Sequence, residues 1–329
     1  MRYELLGSTG LRVSEMFLGA MLPGDGAGLA AAVDAYADAG GNVLDTAVNY
    51  AGGRSEEALG EILEGRRDRF VLSTKYTLSR DETDPNAAGN HRKNLVRSLE
   101  TSLRRLRTDH VDLYWVHLWD RHTPIEETVR ALDDAVRAGK VLYVGISNAP
   151  AWVAVRANTL AEWRDWTPFS AVQVNYSLLN RDVEREILPA ADHLGMSVAA
   201  WSPLAGGALA GGARGGPAPT GADGARERIT GAVAEVAAEL GATPAQVALA
   251  WLRSRSPNVH PITGAATAAQ VAENVRALAL DLPEEAAHRL DEVSGTGLGY
   301  PHDFVAEHRR AALGRAALPL RSRLPLGRG

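Results

Sequence analysis

The chain has no cysteine among its 329 residues. That excludes disulfide frameworks, thiolate nucleophiles and cysteine-ligated metals, and makes the cytoplasm the expected compartment. Basic charge is not in excess either. Thirty-five Lys and Arg against 40 Asp and Glu give a formal net charge of −5, which argues against a nucleic-acid surface. No apolar run approaches the roughly 18–20 residues of a membrane span. The opening MRYELLGSTGLRVSEMFLGA lacks the cationic start and long apolar stretch of a signal peptide. No G-x-G-x-x-G follows the first strand. The segment LGAMLPGDGAG is wrongly spaced for that fingerprint, which argues against a Rossmann dehydrogenase.

What is present is a globular composition, with 45% hydrophobic and 23% charged residues. The length is ordinary for one (β/α)8 barrel, which needs about 250 residues plus insertions. Short buried strands are expected at residues 16–21, 42–47, 69–75, 111–117, 141–147, 170–176, 196–202 and 259–264. Between them run helical patterns. The clearest is 91–106, where Leu95, Leu99, Leu103 and Leu106 share a face. Others lie at 29–40, 55–65, 125–139, 182–195, 243–254 and 268–278, with Gly40, Gly139 and Gly195 as expected C-terminal caps. Strands alternating with helices imply parallel βαβ units, and eight of them imply a closed (β/α)8 TIM barrel. A doubly wound sheet is the alternative. Residues 2–14 read as a hairpin around a Ser-Thr-Gly turn that could plug the barrel's bottom. The Gly- and Ala-rich stretch 204–225 reads as a long mobile loop between strands seven and eight, followed by a helix-like run at 226–240. The division expected is a barrel over 1–304 and a basic tail over 305–329, a surface helix followed by disorder.

In a barrel of this kind the C-terminal ends of the strands face the active site. Four polar residues stand there: Asp45 ends the second strand, Tyr50 follows five residues later, Lys75 ends the third and His117 the fourth. Singly each has a plain reading, as a helix cap, a packing ring, a solvated amine or a structural histidine. Their position at consecutive strand ends makes them a candidate catalytic group.

The segments NVLDTAVNYAGGRSEEALGEIL, FVLSTK, VDLYWVH, GKVLYVGISN, VQVNYSLLN, AAWSPLAGG and PITGAATAAQVAEN occur in order over about residues 3–304. Together they resemble the aldo-keto reductase superfamily. The resemblance implies reduction of an aldehyde or ketone by hydride transfer from NADPH, with NADH possible. Tyr50 would be the general acid, Lys75 would lower its pKa, Asp45 would keep Lys75 charged and His117 would hydrogen-bond the substrate oxygen. The cofactor would lie along the barrel top. Gly19, Ala20, Met21 and Asp45 would flank it, Ser147, Asn148 and Gln173 would take its carboxamide, and Trp201 would stack on its ring. The backbone of Ser202, Pro203, Leu204, Ala205 and Gly206 would meet the pyrophosphate (Pro203 having no N–H to give). Gly264, Ala266, Gln270, Glu273 and Asn274 would surround the adenosine end. Where many relatives have Ser or Arg for the 2′-phosphate this chain has Ala266, and Arg214, Arg226 or Arg228 could substitute.

The substrate, a small carbonyl compound, would meet Met21, Asn49, Tyr76, Trp119 and Trp152 or residues 299–304. Two other readings stand beside reductase. The resemblance extends to potassium-channel β subunits, so a cofactor-sensing subunit with little turnover is one. A barrel hydrolase using Asp112, Asp120, Glu56 or Glu57 is the other, although no His/Asp/Glu spacing suits a metal and His117 and His122 straddle a loop.

Overall fold

A computed structural model describes residues 1–21, 28–211, 223–295 and 297–313. Strands β1 (Tyr3–Leu5) and β2 (Arg12–Ser14) pair antiparallel, with Glu4 opposite Val13. Eight more strands pair in parallel: β3 (Phe17–Gly19), β4 (Val43–Asp45), β5 (Val71–Tyr76), β6 (Val111–Val116), β7 (Val141–Ser147), β8 (Phe169–Asn175), β9 (Ser197–Trp201) and β10 (Val259–Gly264). They follow one another round a closed barrel, and β10 completes it by setting Gly264 opposite Gly19 of β3. This is the expected (β/α)8 TIM barrel with its N-terminal hairpin.

Helices α1 (Leu29–Asp38), α2 (Arg54–Ile62), α3 (Arg92–Leu106), α4 (Ile125–Arg137), α5 (Ala151–Arg164) and α6 (Val183–Leu194) each return the chain from one strand to the next. After β9 come a 3₁₀ turn (Ala205–Ala210), α7 (Asp223–Glu239) and α8 (Pro244–Ser254). After β10 come α9 (Ala268–Arg276), α10 (Glu284–Ser294) and α11 (His302–Leu313). Local chemistry fixes several ends. Thr243 and Gln246 form a reciprocal capping box at the start of α8, with Pro244 in its first turn. Gly195 ends α6 with φ of 62°, a left-handed turn that suits glycine. In α3, Leu95, Leu99, Leu103 and Leu106 are all buried. Helix α5 is apolar on both faces in the sequence, so its buried stripe does not stand out. It buries Val153, Ala154, Ala157 and Ala161 but leaves Trp152 and Trp163 exposed.

The expected loop over 204–225 needs correction where it is described. Residues Ala205–Ala210 form the 3₁₀ turn, and Leu209 is only 1% exposed, because the turn packs on α8. Residues 212–222, including Arg214, lie outside the described residues. Helix α11 crosses the expected boundary at 304 with most of its residues exposed, and residues from 314 onward lie outside the described ones. No helix among the described residues is long and apolar enough to cross a membrane.

Two apolar layers result. One lies between the strands and the helices. The other fills the barrel, where Phe17, Val43, Val71, Leu113, Trp115, Ala171, Ala199 and Ile262 meet Leu6 and Val13 of the hairpin segment, which close the bottom. Side chains alternate along each strand. The parity that turns Val71 inward therefore turns Ser73 and Lys75 inward too, and Leu113 and Trp115 precede His117 in the same way. The barrel is apolar below and polar at the C-terminal ends of its strands.

Candidate active site

At the polar end, Lys75 on β5 is fully buried. Its Nζ donates to Asp45 Oδ2 at 2.5 Å and to the Thr46 carbonyl at 2.8 Å. Asp45 Oδ1 accepts from Ser73 Oγ at 2.5 Å and from Gln173 Nε2 at 3.2 Å. Burial by itself would push the Lys75 pKa down. The Asp45 carboxylate, and after it the Tyr50 hydroxyl, outweigh burial and hold the ammonium above its ordinary value.

Beyond β4 the chain continues alongside β5, with Thr46 N–H on the Ser73 carbonyl and Val48 N–H on the Lys75 carbonyl. It then turns through a 3₁₀ segment, Tyr50–Gly53. Tyr50 is half-buried, and Lys75 Nζ lies 4.8 Å from the centroid of its ring. His117 meets the same ring edge-on, with centroids 5.7 Å apart. Burial, and then the Lys75 charge beside it, push the His117 pKa down to about 3, so the imidazole is neutral at ordinary pH. Its Nδ1 has no hydrogen-bond partner among the described residues.

Asp45, Tyr50 and His117 border one cavity of about 740 Å³. Asn148, left-handed at φ of 48°, donates from Nδ2 to the His117 carbonyl and the Ser147 Oγ, each at 2.9 Å. Its Oδ1 accepts from Trp201 Nε1 at 3.2 Å, which holds the indole at the cavity edge. Further along, Leu204 (φ −101°, ψ 13°) is followed by left-handed Ala205 at φ of 50°. The Ala205 N–H closes this turn on the Ser202 carbonyl at 2.9 Å, and the Gly207 N–H meets the Leu204 carbonyl at 2.9 Å.

Of the residues singled out in the sequence, Gly19, Met21, Asp45, Tyr50, His117, Asn148, Gln173, Trp201, Ser202, Pro203, Leu204, Gly206 and Gly264 line this cavity. Lys75 stands behind it. Ala20 and Ser147 are buried at strand ends. Ala266 N–H donates to Gln270 Oε1, and Gln270 N–H is capped by Thr267. Glu273 is taken up by Thr243, Gln246 and Arg276, and Asn274 is buried. Arg226 and Arg228 lie on α7, with Arg228 turned to its own helix backbone. Asn49 is half-buried, and Trp119 packs edge-on against Trp152 with centroids 5.2 Å apart.

Tyr76 is not brought to the cavity. It follows inward-facing Lys75 by one residue and so points outward, where it stacks on Tyr114 and donates to the Asn90 carbonyl at 3.2 Å. The hydrolase carboxylates are also engaged elsewhere. Asp112 pairs with Arg67, Asp120 caps a loop through Thr123, and Glu56 meets Thr74 and Arg105. Ser73, Gly207, Ile262 and Thr263 belong to the site but were not among the expected residues. Ser73 was signalled by its two-residue spacing from Lys75, and Thr263 by its position before Gly264.

The family model for the aldo/keto reductase family matches residues 15–294. Norsolorinic acid reductase stcV of Emericella nidulans is 38% identical over 288 residues, covering 84% of this chain and 74% of that protein. The probable aryl-alcohol dehydrogenase AAD4 of Saccharomyces cerevisiae is 36% identical over 296 residues, covering 84% and 90%. The aldo-keto reductase ausK of Aspergillus calidoustus is 36% identical, covering 92% and 85%. A barrel matched over most of its length by these proteins belongs to the aldo/keto reductase family and is an NAD(P)H-dependent oxidoreductase.

Proposed function

We propose that this enzyme reduces an aryl aldehyde or ketone to the alcohol with NADPH, and that Tyr50 gives the proton to the carbonyl oxygen. The observation that carries this is the grouping of Tyr50, neutral His117 and the Lys75–Asp45 pair at one end of the cavity. A phenol of ordinary pKa about 10 holds its proton firmly near neutrality. The Lys75 ammonium stabilises the phenolate left behind, and Asp45 keeps that ammonium charged and fixed. His117, neutral at ordinary pH, serves as a hydrogen-bonding partner of the carbonyl oxygen rather than as its acid.

The residues along the rest of the cavity fit a nicotinamide nucleotide. Trp201 offers a flat indole held by Asn148, and beyond it Ser202, Gly206 and Gly207 line the cavity with small residues that leave room for a phosphate. When bound, the nucleotide supplies the hydride. The choice of NADPH rests on the family resemblance, since residue 266 is alanine. The aryl substrate class rests on relatives named aryl-alcohol dehydrogenase and on the Trp119–Trp152 pair, reached two residues beyond His117.

The test is NADPH oxidation against a panel of aryl aldehydes and ketones, with NADH in parallel. Tyr50→Phe should lower kcat by on the order of 10²–10⁴ while leaving NADPH binding intact. Unchanged turnover would refute the role of Tyr50. Tight NADPH binding by the native chain without turnover of any carbonyl would instead favour a cofactor-sensing subunit.

A further inference from the structure

Glu56, on α2, is a fully buried carboxylate outside the cavity. Its Oε1 accepts from Thr74 Oγ1 at 2.7 Å, and its Oε2 lies 3.3 Å from Arg105 Nη1. Thr74 is the outward-facing neighbour of Lys75 on β5. Arg105, on α3, uses the same Nη1 to donate to the Val48 carbonyl at 2.8 Å. Its guanidinium also lies flat against Gly53, where a Cβ would stand 2.2 Å from the Arg105 Cζ.

These contacts fall on either side of Tyr50, two residues before it and three after. The turn between is left-handed over three residues, a conformation its two glycines adopt freely and Ala51 only when its surroundings hold it. Ala51, Gly52 and Gly53 are left-handed in succession, with φ of 50°, 68° and 101°. The backbone of Val48 is held at both ends, its N–H by the Lys75 carbonyl and its C=O by Arg105. One carboxylate thus refers two things to a common point: the strand that carries Lys75, through Thr74, and the loop that carries Tyr50, through Arg105.

We propose that Arg105, seated on Glu56, is a positioning residue for the reaction: it holds the Val48 carbonyl and the Gly53 turn, and so fixes the Tyr50 hydroxyl relative to Lys75. The proposal rests on Tyr50 being the proton donor. A clamp that served only to join α2 to α3 would need no contact with Val48. Nor would it need a glycine under its guanidinium.

The experiment is a cycle on the full chain, comparing Arg105→Met, Arg105→Lys, Tyr50→Phe and the Tyr50→Phe/Arg105→Met double variant. For each, kcat and KM are measured with NADPH and an aryl aldehyde, and NADPH affinity is measured separately by quenching of protein fluorescence. A displacement of about 1 Å at a reacting group costs on the order of 10²-fold, so Arg105→Met should lower kcat by roughly 10- to 100-fold and leave NADPH affinity within about two-fold. Arg105→Lys keeps the charge but not the planar fork, and should fall between. In the Tyr50→Phe background Arg105→Met should cost nothing further, because the group it positions is gone.

An unchanged kcat, a loss carried wholly by NADPH affinity, or a loss that persists in the Tyr50→Phe background overturns the proposal. If Tyr50→Phe alone keeps native turnover, the Tyr50 reading fails and this one falls with it. If Tyr50→Phe is slow and the Arg105→Met loss persists beside it, only the positioning role falls. Where Arg105→Met does not fold, Arg105→Lys carries the same cycle with the same criteria.

Discussion

Replacing Asp45 by asparagine should test whether the buried Lys75 ammonium depends on a single counter-charge. Asp45 Oδ2 is the carboxylate oxygen on Lys75 Nζ, and the remaining donation from Nζ goes to the neutral Thr46 carbonyl. Removing one partner of a buried ion pair costs about 3–5 kcal/mol, because the other charge is left without compensation. Unfolding entropy of about 2.1 cal/mol/K per residue converts that to a Tm lowered by about 4–7 °C for a chain of this length. The pH dependence gives a second check. In the native protein the Lys75 pKa is raised, so its stabilising share is complete below the ordinary 10.5 and is lost only above that. In the variant burial is no longer offset and the pKa falls below 10.5. The penalty should then be largest near pH 7 and shrink as pH rises toward 10. Adding Lys75→Met to Asp45→Asn should recover most of the lost stability, since no charge then remains buried. Thermal melts at pH 7 and 9.5 would decide it. A single-variant Tm within about a degree of native at pH 7, or a deficit that does not change with pH, would refute the reasoning.

Two further outcomes are expected. His260 stacks on Phe17 at the closed end of the barrel, with centroids 4.9 Å apart and no hydrogen-bond partner for either ring nitrogen among the described residues. Burial lowers its pKa from 6.5 to about 4, and the nearby Ser14 backbone and Glu15 charge offset only part of this. Because the folded value is depressed, its share of stability is whole above pH 6.5 and is lost as pH falls toward 4, by at most about 3 kcal/mol. His260→Leu should flatten that part of a urea-midpoint profile between pH 7 and 4.5, and an unaltered slope would count against it. Tyr76→Phe should cost about 1 kcal/mol of stability for the lost bond to Asn90 and leave kcat and KM as they were. A shifted KM would mean that Tyr76 reaches the substrate.

The barrel was legible because a buried parallel strand is written as a short apolar run, and eight such runs alternate with amphipathic stretches. Helix α5 was harder to see, since apolar residues surround it and Trp152 and Trp163 face solvent. At the site, alternation along a strand decides which residues face the cavity. A strand that turns Lys75 inward must also turn Ser73 inward and Tyr76 outward, so the Ser73 bond to Asp45 and the outward Tyr76 were both implied by FVLSTKY. Arg105 is a different case. On α3 it reads as one of several arginines flanking a leucine stripe, and its target carbonyl lies 57 residues earlier in the chain. No local pattern carries a contact of that kind. Glu273, likewise, is held by Thr243 and Gln246 through a contact that only the packing of α8 on α9 decides, whereas Gln270 is held locally at the start of its own helix.

The charge pair and the apolar floor beneath it are one device. Lys75 is in register with Trp115 on β6, which turns into the barrel and is completely buried. The ring can lie there because residue 145 on β7 is glycine; a Cβ would stand 2.3 Å from the Trp115 six-membered ring. Trp115 thereby closes the space below the ammonium to water, and the Lys75 charge must be matched within the barrel wall, by Asp45. A smaller residue at 115 would let water share the charge and weaken the demand on Asp45. It would also weaken the field that Lys75 exerts on Tyr50, since a charge acts more strongly where water is excluded. The apolar layer is therefore as much a part of the electrostatics of the site as the carboxylate itself.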